Sequence, residues 1–412
     1  MQYTTIPFEV NWSHQKLSFE VDSLYHYLDR VIDQRHPRGL LYPLRPLLAI
    51  AILAKLCGQN HLAELAHWAK LRAESLCQIF GLSRGTMPHL TTWARILGEK
   101  IDLVQFQIVI NEFFRDQLEL ARQVPARGSQ IIAIDGKALR GSIASGERRG
   151  DYLMAAYLPD QGVVIGQVEV ANGEVKENEI SAAPKLMSQI SKCVEGAVVV
   201  GDAMQCQRQL SLHIRENKGD WLWFVKENQP NLLEYIKILF EHEPLAAGHG
   251  EYPTDFETYS QIEKGHGRVE ERKITISSML DAEYLKWPSV AQVFKWESWV
   301  RRGRDKPESY QLRYGITSLP RELANPQRIF EIARAEWQIE NSLHYRRDYT
   351  LREDWSKLRL GQGQKINAII NNLVVGVGRL AGKENLPAFR RELEYDPNQA
   401  LTLLTKPIVS TR

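Results

Sequence analysis

Two short apolar runs constrain this chain more than anything else in it. Residues 131–134 (IIAI) and 197–200 (AVVV) are rich in β-branched types and read as buried strands. Each leads to an acid, Asp135 directly and Asp202 one glycine later, so each carboxylate stands at the rim of a sheet. Taken alone, Asp135 reads as a turn residue, because Asp-Gly is a common turn dipeptide and Gly136 lets the backbone bend sharply. What else the chain brings to that rim decides between a turn and a site.

From Pro125 onward the apolar pattern changes from a helical period to short runs. Strands are expected at 131–135, 152–158 and 163–170, with Asp160, Gln161 and Gly162 as the hairpin turn between the last two. A polar helix over 177–192, the strand at 197–200, a helix over 205–216 and a strand at 221–225 ending at Lys226 follow. A three-strand meander followed by alternating strands and helices makes a mixed α/β sheet, the order expected of a ribonuclease-H-like core. Residues 240–320 depart from that alternation, and runs at 272–276, 292–300 and 310–316 predict a β-rich insertion. Within it HGRVEER, 266–272, places Arg268, Glu270 and Arg272 on one strand face, suited either to mutual salt bridging or to phosphate binding.

Residues 1–125 read as helical. A buried helix is expected over 47–56, and Leu62, Leu65, Ala69, Leu76 and Ile79 continue the spacing. Gly81, Gly85 and Pro88 break the chain before Thr91 or Thr92, either of which would cap a helix through Trp93, Ile96 and Leu97. This suits a DNA-reading helix-turn-helix and equally a bundle that only packs. Cys57, His61, His67 and Cys77 lack the paired spacing of zinc modules and are taken as core or surface residues. The longest apolar run, 47–54, is too short to span a bilayer, no signal-like segment opens the chain, and four cysteines form no Cys-x-x-Cys pair, so a cytoplasmic, nucleoid-associated protein is expected. A net charge of +2 says little about partners. Locally, 121–150 carries six Lys/Arg against two acids and 295–313 six against three, which is weak support for an anionic partner.

Residues 325–350 hold the strongest helical pattern, with Phe330, Ala333, Trp337, Glu340 and His344 on one stripe. Glu340 interrupts that mostly apolar stripe and needs a cationic partner if buried. A further helix is expected over 364–380, and the tail after Pro387 looks peripheral. The expected organisation is a helical N-terminal domain (1–125), the first part of the core (126–238), the insertion (239–322), the glutamate helix and end of the core (323–385), and the tail (386–412). Two aspartates and a glutamate offer hard oxygens that suit Mg²⁺ or Mn²⁺, which relieve their mutual repulsion. Two such ions roughly 3.5–4 Å apart would serve an in-line attack on a phosphodiester. GVGRLAGK at 376–383 misses the Walker spacing, and no Gly-x-Ser-x-Gly elbow occurs.

Five motifs in consistent order carry a resemblance: AIDGKALRGS (133–142), GDA (201–203), KENQ (226–229), HGRVEER (266–272) and EWQIENSLHYRRDYTLRED (336–354). From about residue 20 to about 380 the chain resembles the H-repeat-associated group of bacterial DDE insertion-sequence transposases. The resemblance implies a ribonuclease-H-like catalytic domain and a metal-binding triad of Asp135, Asp202 and Glu340, with Asp135 bridging two Mg²⁺ ions, for which Mn²⁺ substitutes. Trp337, Asn341, His344 and Asp348 match the group's glutamate-helix signature. Glu336 stands where histidine is usual, Glu227 where glycine is usual, and Tyr345 where tryptophan is common. Lys137, Arg140, Lys226, Asn228, Arg268, Arg272, Asn341 and Arg347 are the expected DNA contacts. His344 would position a strand or the leaving group, or else serve as a core histidine. The implied reaction is cleavage at the element's ends and transfer of the 3′-hydroxyl into target DNA, by a homodimer or higher oligomer away from membranes. The alternatives are a domesticated DNA-binding protein that does not transpose, and a nuclease of the same fold that cuts without joining.

Overall fold

Among the described residues six α-helices precede the first strand: α1 (Leu24–Leu28), α2 (Leu44–Leu56), α3 (Leu62–Leu71), α4 (Ala73–Phe80), α5 (Leu90–Glu99) and α6 (Leu103–Gln117). The computed structural model describes residues 19–118, 124–143, 146, 150–170, 179–241, 254–265, 267–302 and 309–408. Helix α2 is apolar but for Arg45 and Lys55, and every residue in it except Arg45 is buried, Lys55 included. The cap of α5 is His89, not Thr91 or Thr92: extended backbone after Pro88 lets the His89 ring accept the Thr91 N–H.

Strand β1 (Gln130–Ala138) is flanked on one side by antiparallel β2 (Tyr152–Leu158) and β3 (Val163–Val170). On the other side run parallel β4 (Ala197–Gly201) and β5 (Asp220–Val225). β4 and β5 are buried on both faces, which is why their sequences are continuously apolar. Gly162 closes the β2–β3 turn at φ +72°, where a side chain would be strained. Helices α7 (Glu179–Gln189) and α8 (Ser191–Val194) lead into β4, and α9 (Arg208–Glu216) connects β4 to β5.

β1 corrects one expectation. It does not end at Asp135 but continues through Ala138, paired with β2, and Gly136 makes no turn. Glycine is required there by crowding, since a Cβ would lie 2.4 Å from the Tyr152 ring and 2.6 Å from Glu179 Oε1. Gly136→Ala is therefore expected to cost about 1–3 kcal/mol by overpacking, measured by urea unfolding. A loss under about 0.5 kcal/mol would mean those two side chains yield freely.

After α10 (Pro230–Phe240) the expected insertion forms β6 (Glu257–Gly265), β7 (Arg268–Ser277), α11 (Ala282–Leu285), β8 (Gln292–Arg302) and β9 (Ser309–Thr317). It is no separate sheet. β9 pairs with β5, so among the described residues one nine-stranded sheet runs β3-β2-β1-β4-β5-β9-β8-β7-β6. β6 had no clear signal because it is an edge strand, ETYSQIEKG, with charged and polar residues on both faces.

The expected 325–350 helix begins as α12 (Pro326–Gln338) and then widens into π-helical turns at Ile339–His344 and Arg346–Thr350. Widening changes which residues share a face, so the single stripe breaks: Phe330 and Ala333 are buried, Trp337 and Glu340 exposed, His344 buried again. Helix α13 (Gly363–Leu380) is buried almost entirely and packs against α2, α5, α6 and β3. The tail is not peripheral: α14 (Leu386–Tyr395) and α15 (Pro397–Thr405) bury Phe389, Leu393, Leu401 and Leu404 against α1, α2 and α13.

Buried polar groups tie these layers together. Lys55 Nζ donates to Asn371 (2.9 Å), Asn371 to Glu353 (2.8 Å), and Glu353 accepts a two-pronged bond from Arg347. Burial lowers the Lys55 pKa to about 7. All four cysteines are buried and unpaired; Cys57 donates to the Leu393 carbonyl and Cys77 to that of Arg84. Among the described residues no helix is long and apolar enough to cross a membrane.

Candidate metal and nucleic-acid site

Strand register brings the two aspartates together. β1 and β4 are parallel with Ile134 opposite Gly201, so the next residues, Asp135 and Asp202, leave the ladder side by side. Asp202 stops the strand and caps the short turn Ala203–Gln205 by accepting the Met204 N–H at 3.0 Å. From the other side the π turn brings His344, whose Nδ1 donates to Glu340 Oε2 at 2.9 Å and lies 3.4 Å from Asp135 Oδ2. Ligand atoms of Asp135, Glu340 and His344 lie within 4.8 Å of one another, the only such group among the described residues. Asp202 is outside that group but within its field.

The electrostatics differ sharply between the acids. Burial, then the charges of Glu179, Glu340 and Asp202, push the Asp135 carboxyl up to about 8. The His344 hydrogen bond holds Glu340 below the ordinary glutamate value. Burial lowers His344, which is therefore neutral; a carboxylate only accepts, so Nδ1 carries the proton and Nε2 is left without a partner among the described residues. Glu340 is not the buried acid expected from the stripe: its side chain is 61% exposed, and its partner is a histidine on its own helix.

The expected DNA contacts divide into four groups. His344 (2% exposed) and Arg347 (0%) are enclosed, so neither can reach a strand; one bridges the two carboxylates and the other is locked to Glu353. Lys137 is bound to Asp348 at 2.7 Å, and Asn228 donates to the Ala203 carbonyl, one residue past Asp202. Arg140, 3.8 Å from Asp354 and 76% exposed, and exposed Lys226 are open to solvent. Arg268 and Arg272 both pair with buried Glu270, and Arg272 also with Glu263 at 2.8 Å, so the salt-bridging arrangement is present on that face. The same face nonetheless forms one wall of a cleft of about 410 Å³ that also takes in Arg302, Arg313, Arg334, Trp337 and Asn341. Five arginines meet Glu270, Glu263 and Glu336 there, and four of the five are paired with those acids, so the cleft is left basic by two charges. His266, and Arg122, Arg148, Arg149, Arg304 and Lys306 of the basic runs, lie outside the described residues.

One acid, Glu179, has no counterpart in the sequence analysis, and a second, Glu336, enters it only as a departure from the group's pattern. Glu336, one turn before Glu340, is bound to Arg313 at 3.2 Å; burial raises its pKa, and Asp202 and Lys226 lie within its field. Glu179, at the start of α7, is 9% exposed and accepts from Gln205 Nε2 at 3.0 Å and from the Tyr152 hydroxyl. No signal singled it out, since Glu174 and Glu177 precede it in an equally polar stretch.

Residues 126–375 match the family model for the transposase DDE domain, and 25–114 match a DDE_Tnp_1-associated model. "Putative transposase YncI" of Escherichia coli O157:H7 is 29% identical over 87% of this chain and 88% of its own length. "H repeat-associated putative transposase YhhI" of Escherichia coli strain K12 is 26% identical over 87% and 90%. A solved piggyBac transposase synaptic complex with hairpin DNA superposes only loosely, at 11% identity and TM-score 0.43 over 94% of this chain and 77% of that one.

Proposed function

The chain belongs to the DDE transposase family, and from that premise we propose that it cuts DNA at the ends of an insertion sequence and joins the 3′-hydroxyl to target DNA. The observation that carries the proposal is the register of β1 and β4, which sets Asp135 beside Asp202 with Glu340 facing them. The antiparallel β1–β3 meander followed by parallel β4 and β5 supports a ribonuclease-H-like core, which β6–β9 extend on the same sheet.

A hard-cation site fits these residues. Asp135 and Glu340 present oxygens within 4.8 Å of each other, and Asp135 is destabilised by like charges that a cation would relieve. Asp135, Asp202 and Glu340 would hold two Mg²⁺ ions, or Mn²⁺ in their place. Bound there, the ions supply positive charge that activates the attacking oxygen and stabilises the departing one. His344 keeps Glu340 turned toward Asp135, and the Met204 N–H holds the Asp202 carboxylate at the strand end. Exposed Arg140 and Lys226 would neutralise phosphates, and the arginine cleft would carry the flanking backbone. Binding by a homodimer or larger assembly on DNA completes the reading.

Since Asp135 must lose its proton to take a cation, and its carboxyl is pushed up to about 8, Mn²⁺ affinity is expected to climb through pH 6–8 and level off above. An electron paramagnetic resonance titration measures this, and an affinity flat from pH 6 to 9 would remove Asp135 from the site. The function is tested by incubating the protein with its element's DNA ends and Mg²⁺. End cleavage with joined products is expected; cleavage alone would indicate a nuclease, and robust binding with neither would end the enzyme reading.

A further inference from the structure

We infer that Glu179 is a positioning residue that sets the spacing between the Asp135 strand and the Asp202 turn. This rests on reading Asp135 and Asp202 as cation ligands. The carboxylate is anchored from both sides: the Tyr152 hydroxyl on β2, the strand paired to β1, donates to Oε1, and Gln205 Nε2, three residues past Asp202, donates to Oε2 at 3.0 Å. It lies over Gly136, the residue after Asp135, only 2.6 Å from where a Cβ would be. β1 is thus built with a glycine at the one place where this strut needs room.

Burying a carboxylate beside two others is costly, and a structure needing only a packed surface there would not retain it. What the carboxylate offers is two acceptor oxygens at fixed separation, one for each segment. Without it the Tyr152 hydroxyl and Gln205 amide lose their shared partner, and the turn carrying Asp202 is no longer tied to the sheet at this point. Glu179→Gln would preserve the tie. Its carboxamide oxygen accepts from Tyr152, and Gln205, whose Oε1 has no partner among the described residues, turns its amide to accept the new N–H.

The test is Mn²⁺ binding by the full chain without DNA, followed by electron paramagnetic resonance. Glu179→Ala is expected to weaken binding about tenfold or more, the usual effect of losing a group that orients metal ligands, while Glu179→Gln stays within about threefold of the unaltered protein. An Ala variant that binds normally would overturn the inference. So would a Gln variant as weak as Ala, since that would assign the effect to charge rather than spacing. Should Glu179→Ala fail to fold, Tyr152→Phe and Gln205→Ala each sever one side of the strut, and unchanged affinity in both would overturn it. Absence of Mn²⁺ binding by the unaltered chain would overturn the cation reading and this inference with it, whereas an effect confined to the Glu179 variants bears on the strut alone.

Discussion

Asp135→Asn is expected to lose at least about a thousandfold in DNA cleavage while retaining DNA affinity and gaining stability. The loss follows from the site: an amide is a poor ligand for a hard cation and removes the charge that draws one in. Binding should persist because the basic cleft and Arg140 do not depend on Asp135. The gain in stability follows from the raised pKa. A carboxyl at about 8 when folded and near 3.8 when unfolded is fully compatible with the fold only below about pH 4, and its penalty grows as pH rises to about 8. In EDTA the Asn variant should therefore match the unaltered protein at pH 4 and exceed it at pH 8 by several kcal/mol, up to roughly 5. Cleavage activity, electrophoretic mobility shift and urea unfolding at the two pH values read the three parts. A variant that still cuts, or that is less stable at pH 8, would contradict the assignment of Asp135.

The second large effect concerns stability. Arg347 and Glu353 form an ion pair in which both side chains are 1% exposed, and Asn371 completes the Glu353 acceptors. Arg347→Met would leave a buried glutamate with no cation against it, a change that costs about 3–5 kcal/mol. Burial pushes Glu353 up, but Arg347 more than offsets this and the net pKa is lowered, so the pair's contribution is present above the ordinary glutamate range and is lost as pH falls through the lowered value. The gap between variant and unaltered protein should thus be full at pH 7 and shrink in acid. The double change Arg347→Met with Glu353→Leu should cost less than the sum of the single changes, because no lone charge remains. A single-variant loss under about 1 kcal/mol would mean water reaches the pair. Cleavage should fall as well, since Arg347 lies one turn beyond His344 on the helix that presents Glu340.

Much of the sheet was legible because each strand carries its own signal. β2 and β3 coincide with the expected residues, and the apolar runs of β4 and β5 are nearly exact, since strands buried on both faces leave little room for polar residues. The edge strand β6 was not legible, because polarity on both faces is what keeps an edge soluble. The tail misled for another reason. Its apolar residues are ordinary for a surface helix, and only their docking against α1, α2 and α13 shows them to be core.

The site divides in the same way. That Asp135 and Asp202 stand at the C-terminal side of buried strands, and that Glu340 lies on a long helix, is a property of local pattern, which is written in neighbouring residues. Which side chains meet is not local. The π turns that expose Glu340 and enclose His344, the pairing that commits Arg347 to Glu353, and the approach of Glu179 to Gly136 each depend on contacts between distant segments. Residue type alone proposed three carboxylates and a set of cations; packing decided which charges face solvent, which neutralise one another, and which acid joins the rim unannounced.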